Sequence, residues 1–541
     1  QVDNNWDLYG RAWDGLRWSK IERITDNPAP DVSHKLVAGA SGKLYLVWQG
    51  FRSGCSTILL KVLDGAGWSE EIPVSEPGVN SWDPAVAVDD SGKAYVAWDA
   101  YAHDNYDVFL RSYAKGKLSE LIAVTRDPNF QAHVDLACDR QGRVWLAWDE
   151  SGPRWGKDVD YKNYRKGEST SLWDGRTIRL ACWDNGVWKH PAADLYSSFP
   201  EGWERLTELP KLVPDSSGRL WLFFRHRTLK FQFSRIGEQK AAIHLLGRGA
   251  RWDVFATSYS GGAWSPLISI PNSSGRNDVR VAAFPARDGS VWAGWASDQR
   301  PWDTLSPQRS AVFLTRMDPG GIRPARPVLR NEEQPRSPAA PPDMKESGAV
   351  ARVRDFKLSV GEKPYRIFRG DLHRHTDISF DGFGDGSLLD LYRYAIDAAR
   401  LDFVAVTDHG AGQDREYPWW QTQKSADLFL VSNVFVPLYG YERSLGYPNG
   451  HRNVIFARRG IRTLPASQAE GAGTEGAAKL FAHLKANQGI SIPHTSATEM
   501  GTDWRDNDPK VEPLVEIFQG LRASYEYAGA PRSEIKDYPN F

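Results

Sequence analysis

Up to about Val328 the chain alternates apolar and polar positions in short runs, a period of two that fits half-buried strands rather than amphipathic helices. One unit recurs five times: Ser41 to Trp48, Ser91 to Trp98, Gln141 to Trp148, Ser217 to Phe224 and Asp288 to Trp295. Each opens on a polar residue, a glycine and a second polar residue, and continues through apolar positions to an aromatic one. An apolar alternating run such as Pro84 to Asp89 comes before it, so each unit reads as a β-hairpin around a glycine turn. A further strand ending in Gly-x-Trp or a relative follows, as in Val108 to Leu118, Ile178 to Trp188 and Val254 to Trp264. Four short strands recurring every roughly 50 to 75 residues are the signature of β-propeller blades. The spacing predicts five or six blades. The half-unit from Leu8 to Trp18 stands alone, and is expected to close the ring by pairing with the last blade.

Asn331 to Asp343 carries Pro335, Pro338, Pro341 and Pro342 among polar residues, which predicts a stiff, extended linker. After Asp355 short apolar strands alternate with helical stretches, as in a parallel α/β domain. The expected organisation is therefore multidomain: an all-β propeller over 1–328, a proline-rich linker over 329–355, and an α/β domain over 356–541.

Chemistry gathers at the strand ends of that last domain. Tyr365 to Leu372 runs into His373, Arg374 and His375; Phe403 to Thr407 runs into Asp408 and His409. Val434 to Tyr441 runs into Glu442, Ile490 to Pro493 runs into His494, and His451 opens the apolar run Asn453 to Phe456. In a barrel of parallel strands these ends converge on one face. Buried imidazoles beside carboxylates are costly unless they hold cations. Nitrogen and oxygen donors without thiolate suit Zn²⁺, Mn²⁺ or Fe²⁺. A lone histidine at a strand end is more often structural; five in these contexts favour metal.

Composition narrows the alternatives. With 541 residues more than one core is expected, and a formal net charge of −1 offers no basic field for nucleic acid. The 23 Trp residues fit blade packing better than a carbohydrate-binding stripe. Longer insertions, around Ser151 to Ser171 and Ser197 to Pro210, are the better candidates for surface recognition. Cys55, Cys138 and Cys182 allow one disulfide at most and have no zinc-ligand spacing. No apolar run approaches the roughly 18 residues that span a bilayer. The sequence begins at Gln1 without Met, and the expectation is a removed leader and an extracellular or periplasmic location.

Residues 373 to 376 (His-Arg-His-Thr), Phe380-Asp381-Gly382 and Thr407-Asp408-His409-Gly410 resemble the opening motifs of the polymerase and histidinol phosphatase (PHP) superfamily. The likeness continues through Gly440-Tyr441-Glu442, Gly450-His451-Arg452-Asn453 and Ile492-Pro493-His494. Val515 to Gly520 and Ser524 to Tyr527 are similar to an uncharacterised, often secreted branch of it. The resemblance implies a metal-dependent phosphoesterase on an irregular β/α barrel of seven strands, holding two or three divalent ions. It implies a first ion at His373, His375 and Glu442. Glu442 would bridge to a second at His451 and His494, and Asp381 and His409 would hold a third. Glu442, His409 and Asp408 are the expected catalytic residues, although Asp408 could equally orient His409. The family's late Asp-x-His motif has no counterpart, because no histidine follows His494, so the barrel is expected to be incomplete at its C-terminal end.

The remaining residues near these motifs have blander roles. His483 falls in a helical pattern from Ala478 to Ala486, Ser387 is a reasonable helix N-cap, and Arg374 and Arg443 could meet an anionic substrate or simply be solvated. The expected function is hydrolysis of a phosphorylated small molecule or a phosphodiester. Two alternatives remain open. One is hydrolysis of a non-phosphate bond such as an amide. The other is a binding or surface-structural protein, in which the metal site is lapsed or purely structural and the propeller meets a protein or glycan.

Overall fold

The computed structural model describes residues 5–65, 67–152, 155, 176–229, 250–275, 280–301, 309–318, 325–331, 344–379, 386–409, 416–464, 466, 475–495 and 501–517. They divide into two compact units. One comprises Gln1–Lys230, Ala250–Gln299 and Ser310–Arg352, and the other holds the chain from Val353 onward.

The first unit is a five-bladed, propeller-like arrangement of antiparallel sheets. In the first blade Asp31–Ala38, Leu44–Arg52 and Cys55–Asp64 pair in chain order, and the short strands Gly67–Trp68 and Ile72–Pro73 both pair back onto Cys55–Asp64. The next three blades begin with Ser81–Val88, Phe130–Cys138 and Thr207–Pro214. The fifth has Val281–Pro285, Val291–Ser297 and Ala311–Met317. The recurring glycines sit in the hairpin turns, with Gly42, Gly92, Gly142, Gly218 and Gly289 at φ 82°, 82°, 75°, 91° and 87°. A side chain at any of them would be strained, which explains the repeat of glycine itself.

Neighbouring blades share cores. Tyr45, Val47, Ile58 and Leu60 of the first pack with Ala94, Val96 and Trp98 of the second. The same interleaving joins the second to the third, the third to the fourth, and the fourth to the fifth. Trp48, Trp98, Trp145, Trp148, Trp221 and Trp295 are all buried, so the aromatic loading goes into blade packing. Each such side chain contributes roughly 2–3 kcal/mol by leaving water.

Polar groups are buried as well. Glu208 receives the guanidinium groups of Arg176, 3.2 Å away, and Arg225, and Asp149 accepts from both Arg176 and His133. Asp107 is 6% exposed and accepts a 3.0 Å hydrogen bond from Thr125 Oγ1. Burial pushes its pKa up to about 7, only partly opposed by that bond. A folded-state pKa above the unfolded one means stability that is present below about pH 4 and is lost as pH rises toward 7. Asp107→Asn keeps an acceptor for Thr125 and is expected to raise stability at pH 8 by ~1 kcal/mol or more. Denaturant unfolding of the two proteins at pH 4.5 and pH 8 checks this, since the gain should shrink at the lower pH.

Some sequence expectations change. Tyr9–Gly10 pairs with Glu22–Arg23, and Leu8 packs on Leu46, Trp48 and Leu59 of the first blade, so among the described residues the N-terminal half-unit does not pair with the last blade. A partner about a dozen residues away in sequence costs little loop entropy. Within the expected linker, Leu329–Asn331 pairs with Val187–Pro191 of the third blade and Met344–Asp355 is a helix; 332–343 lie outside the described residues. Most of the insertion from Ser151 to Ser171 also lies outside them. The second insertion packs inward rather than standing free, with Trp203 stacked on His226 at 3.9 Å and Phe199 on Phe224 at 5.3 Å. All three cysteines are free, and burial pushes Cys138 and Cys182 up to about 12. Among the described residues no helix is long and apolar enough to cross a membrane.

The second unit contains one five-stranded mixed sheet in chain order: Gly370–Arg374, Phe403–Val406, Val436–Ser444, His451–Phe456 and Ile490–Pro493. The first three strands are parallel, the fourth runs antiparallel to both its neighbours, and the fifth regains the direction of the first three, which corrects the expectation of a wholly parallel α/β domain. The reason is the connection after Ser444. Only 445–450 separate it from the next strand, enough for a hairpin and too few for a parallel crossover. Helix Leu388–Asp397 starts at Ser387, whose hydroxyl accepts from Asp390 N. Helix Glu416–Phe429 packs on the strand Val436–Ser444.

Candidate metal centre

Strand alternation decides which side chains meet. Glu442 and Ser444 point to one face of their strand, while Tyr441 and Arg443 point to the other. Asn453 and His451 lie opposite Glu442 and Ser444 in register, and so share their face. His373 and His375 arrive from the end of the first strand, His409 just past the second, and His494 just past the last. His409 also bridges in parallel to Glu442 through its backbone.

Five imidazoles surround one carboxylate. On the Oε2 side of Glu442 lie His375 Nε2 at 3.0 Å, His409 Nε2 at 3.4 Å and His373 Nε2 at 3.6 Å. On the Oε1 side lie His451 Nδ1 at 2.7 Å, Ser444 Oγ at 2.9 Å and His494 Nε2 at 3.3 Å. Glu442 itself is 1% exposed. Its two oxygens thus face two separate sets of donors. The ligand atoms fall into three groupings, His373–His375–Glu442, Glu442–His451–His494 and His373–His494–Glu516, each spanning no more than 4.8 Å.

The electrostatics suit cations. Burial alone would raise the pKa of Glu442, but the imidazoles of His409, His494, His373 and His375 more than offset it and hold the group well below the usual carboxylate range. Burial works against a charge on His373 too, and contacts with Glu442 and Glu516 overcome it, raising that group to about 9. His494 is the opposite case: burial lowers it to about 4, leaving a neutral imidazole able to donate a lone pair. Neither ring nitrogen of His494 makes a hydrogen bond among the described residues, nor does either side-chain polar atom of Asn453, and both residues are buried. Ser444 Oγ donates to Glu442 Oε1 and lies 2.6 Å from His409 Nδ1, which therefore carries the proton. In the neutral ring, Nε2 is the acceptor and faces another acceptor, Glu442 Oε2, an arrangement that a cation between them relieves. On donor type, burial and orphaned polar atoms, the residues present fit divalent metal ions.

The structure therefore brings His373, His375, His409, Glu442, His451 and His494 into one cluster. Asp381 lies outside the described residues, as do Gly410 and 518–541. Asp408 is fully buried, and both its oxygens are engaged by Thr376, through the backbone amide at 2.5 Å and the hydroxyl at 2.6 Å. It ties the turn after His375 to the strand end at His409, a positioning role. Arg443 is 2% exposed on the opposite face, so it is neither solvated nor placed for substrate. Arg374 is half-exposed and leans toward Asp371. His483 stays in helix Glu475–Asn487, edge-on to Phe456. Ser444, Asn453 and Glu516 belong at the cluster and were not assigned from sequence. The alternation rule applied to the strand ending in Glu442 and Ser444 was signal enough for Ser444.

No family model matches the sequence, and no curated protein matches it. Solved structures resemble it in part. A Hadza microbial sialidase is 13% identical with a TM-score of 0.35, covering 57% of this chain, which spans 64% of that protein, under two thirds of its length. An ulvan lyase of a polysaccharide lyase family is 11% identical over 58% of this chain and 69% of its own, with a TM-score of 0.33. An α-L-arabinofuranosidase of Fusarium graminearum is 7% identical over 52% and 80%, with a TM-score of 0.32. Likeness at this level does not bear on substrate.

Proposed function

We propose that the second unit is a metal-dependent hydrolase of the polymerase and histidinol phosphatase type, acting on a phosphomonoester or phosphodiester. The observation that carries this reading is Glu442, a fully buried carboxylate whose two oxygens face two different sets of imidazoles. His373, His375 and Glu442 would hold one ion, and Glu442, His451 and His494 a second. His409 would contribute to a third with Asp381. When bound, Zn²⁺, Mn²⁺ or Fe²⁺ ions supply Lewis-acid polarisation of a phosphoryl oxygen and make water a nucleophile near neutral pH. The chain's own groups do the rest. Glu442 fixes the spacing of the two donor sets, Ser444 sets the His409 tautomer, and Asp408 with Thr376 holds the His375 turn in place. The motif resemblance supports phosphate esters as the substrate class.

Protein isolated without chelators is expected to carry about two or more equivalents of divalent metal by elemental mass spectrometry. It should hydrolyse p-nitrophenyl phosphate or its bis-ester, lose that activity after EDTA without unfolding, and regain it with Mn²⁺ or Zn²⁺. Unfolding on chelation with no turnover at any stage would replace this reading by a structural metal site. Turnover of amides alone would replace the substrate class.

A further inference from the structure

We infer that Glu516, delivered by a segment clamped to the far edge of the sheet, is the residue that positions His373 for the first ion. The inference rests on the metal-dependent reading of the cluster. His373 Nδ1 lies 2.8 Å from Glu516 Oε2, across 143 residues of sequence, while its Nε2 faces Glu442. An imidazole gives one nitrogen to a metal and its other N–H to an acceptor. With Nδ1–H donated to Glu516, it is Nε2 that faces the Glu442–His375 grouping and would give up its proton to an ion bound there.

The sequence around Glu516 is anchored independently of the cluster. Ser491 N donates to Val511 O at 2.7 Å and Glu516 N to Pro493 O at 3.0 Å, so 511–516 runs alongside the edge strand Ile490–Pro493. On the face away from the site Glu512 is buried, with Arg452 Nε at 2.7 Å and Ser491 Oγ at 2.9 Å. Arg452 and Glu512 therefore pin the segment, and Glu516, four residues on, reaches the strand end beside His494. Glu516 keeps 22% of its side chain exposed, in contrast with Glu442 at 1%. It is thus a supporting carboxylate at the rim rather than a second bridge. The first ion position is complete only when this segment is docked.

Mn²⁺ or Zn²⁺ titration of the full-length chain by calorimetry, after EDTA treatment, tests this. Wild type should show two resolvable ions. Glu516→Ala should weaken one of them by roughly 10–100-fold and leave the other unchanged. Glu516→Gln keeps an acceptor for Nδ1–H and should recover most of that loss. Glu512→Gln, which loosens the clamp without touching the cluster, should weaken the same ion. Wild-type affinities in both Glu516 variants would overturn the positioning role. Equal and complete loss of one ion in both would overturn it in favour of direct ligation by Glu516. If wild type itself binds no metal, the proposed function fails, which is a separate outcome.

Discussion

Glu442→Gln is expected to lose at least one bound ion and to lower phosphoesterase turnover by roughly 10³-fold or more, about 4 kcal/mol of barrier. The substitution is nearly isosteric, so its effect is electrostatic. Five imidazole nitrogens lie between 2.7 and 3.6 Å from this one side chain, shared between its two oxygens. A glutamine offers one neutral oxygen in place of two charged ones, and its NH₂ would point at nitrogens whose lone pairs belong to the metal. The same substitution separates binding from folding. Metal that binds only the native state raises Tm by mass action, and the rise induced by Mn²⁺ or Zn²⁺ in wild type should vanish in the variant. A Glu442→Gln protein with full metal content and more than a tenth of wild-type turnover would show that the carboxylate is structural.

Much of this cluster is legible in the sequence, because the sequence marks strand ends. An apolar run stops, and the next residue is His373, Asp408, Glu442 or His494. What could not be read is which of these face inward. Asp408 and His409 are adjacent and look equally chemical, yet opposite sides of the backbone send one to Thr376 and the other to Glu442. Glu516 was hidden for another reason: it reaches the cluster through an irregular segment with no period, held by long-range contacts to Ser491 and Pro493. The direction of the strand His451–Phe456 was also missed, although the short span from Ser444 to His451 already contained it.

The propeller shows the same division. Its hairpins were readable because each needs a glycine at positive φ, and five glycines at matching points announce it. The bulges inside the first strands were not. Ser33, Asp83, His133 and Leu209 take φ 54°, 44°, 54° and 53° at the same place in four blades, yet share no chemistry. Their backbone is held from outside: Asp99 accepts from His133 N and Asp149 from Leu209 N, each from the preceding blade. A non-glycine residue at positive φ costs of order 1–3 kcal/mol, and only tertiary contacts can hold it. Single-strand patterns do not carry that information.

Those buried polar contacts set the second large effect. Glu208→Ala is expected to destabilise the propeller by about 3–5 kcal/mol. Glu208 is 1% exposed and receives the guanidinium groups of Arg225 and Arg176, themselves 1% and 0% exposed in their side chains. Arginine does not lose its charge at any pH of interest, so removing the carboxylate strands positive charge away from water. Arg176 retains Asp149 at 3.4 Å, whereas Arg225 keeps its stacking on Trp252 at 3.9 Å but loses a carboxylate in direct contact. Glu208→Leu combined with Arg225→Met should therefore be much less destabilising than Glu208→Ala alone, since it removes both charges together. An exposed pair gives the baseline. Arg316→Ala, which breaks the contact with Asp288 between side chains 44% and 56% exposed, should cost far less. Denaturant unfolding followed by tryptophan fluorescence measures all three, because the blade cores hold most of the buried indoles. A Glu208→Ala loss no larger than that of Arg316→Ala would mean the arginines find water or other acceptors on relaxing, and that the ion pair contributes nothing to holding the blades together.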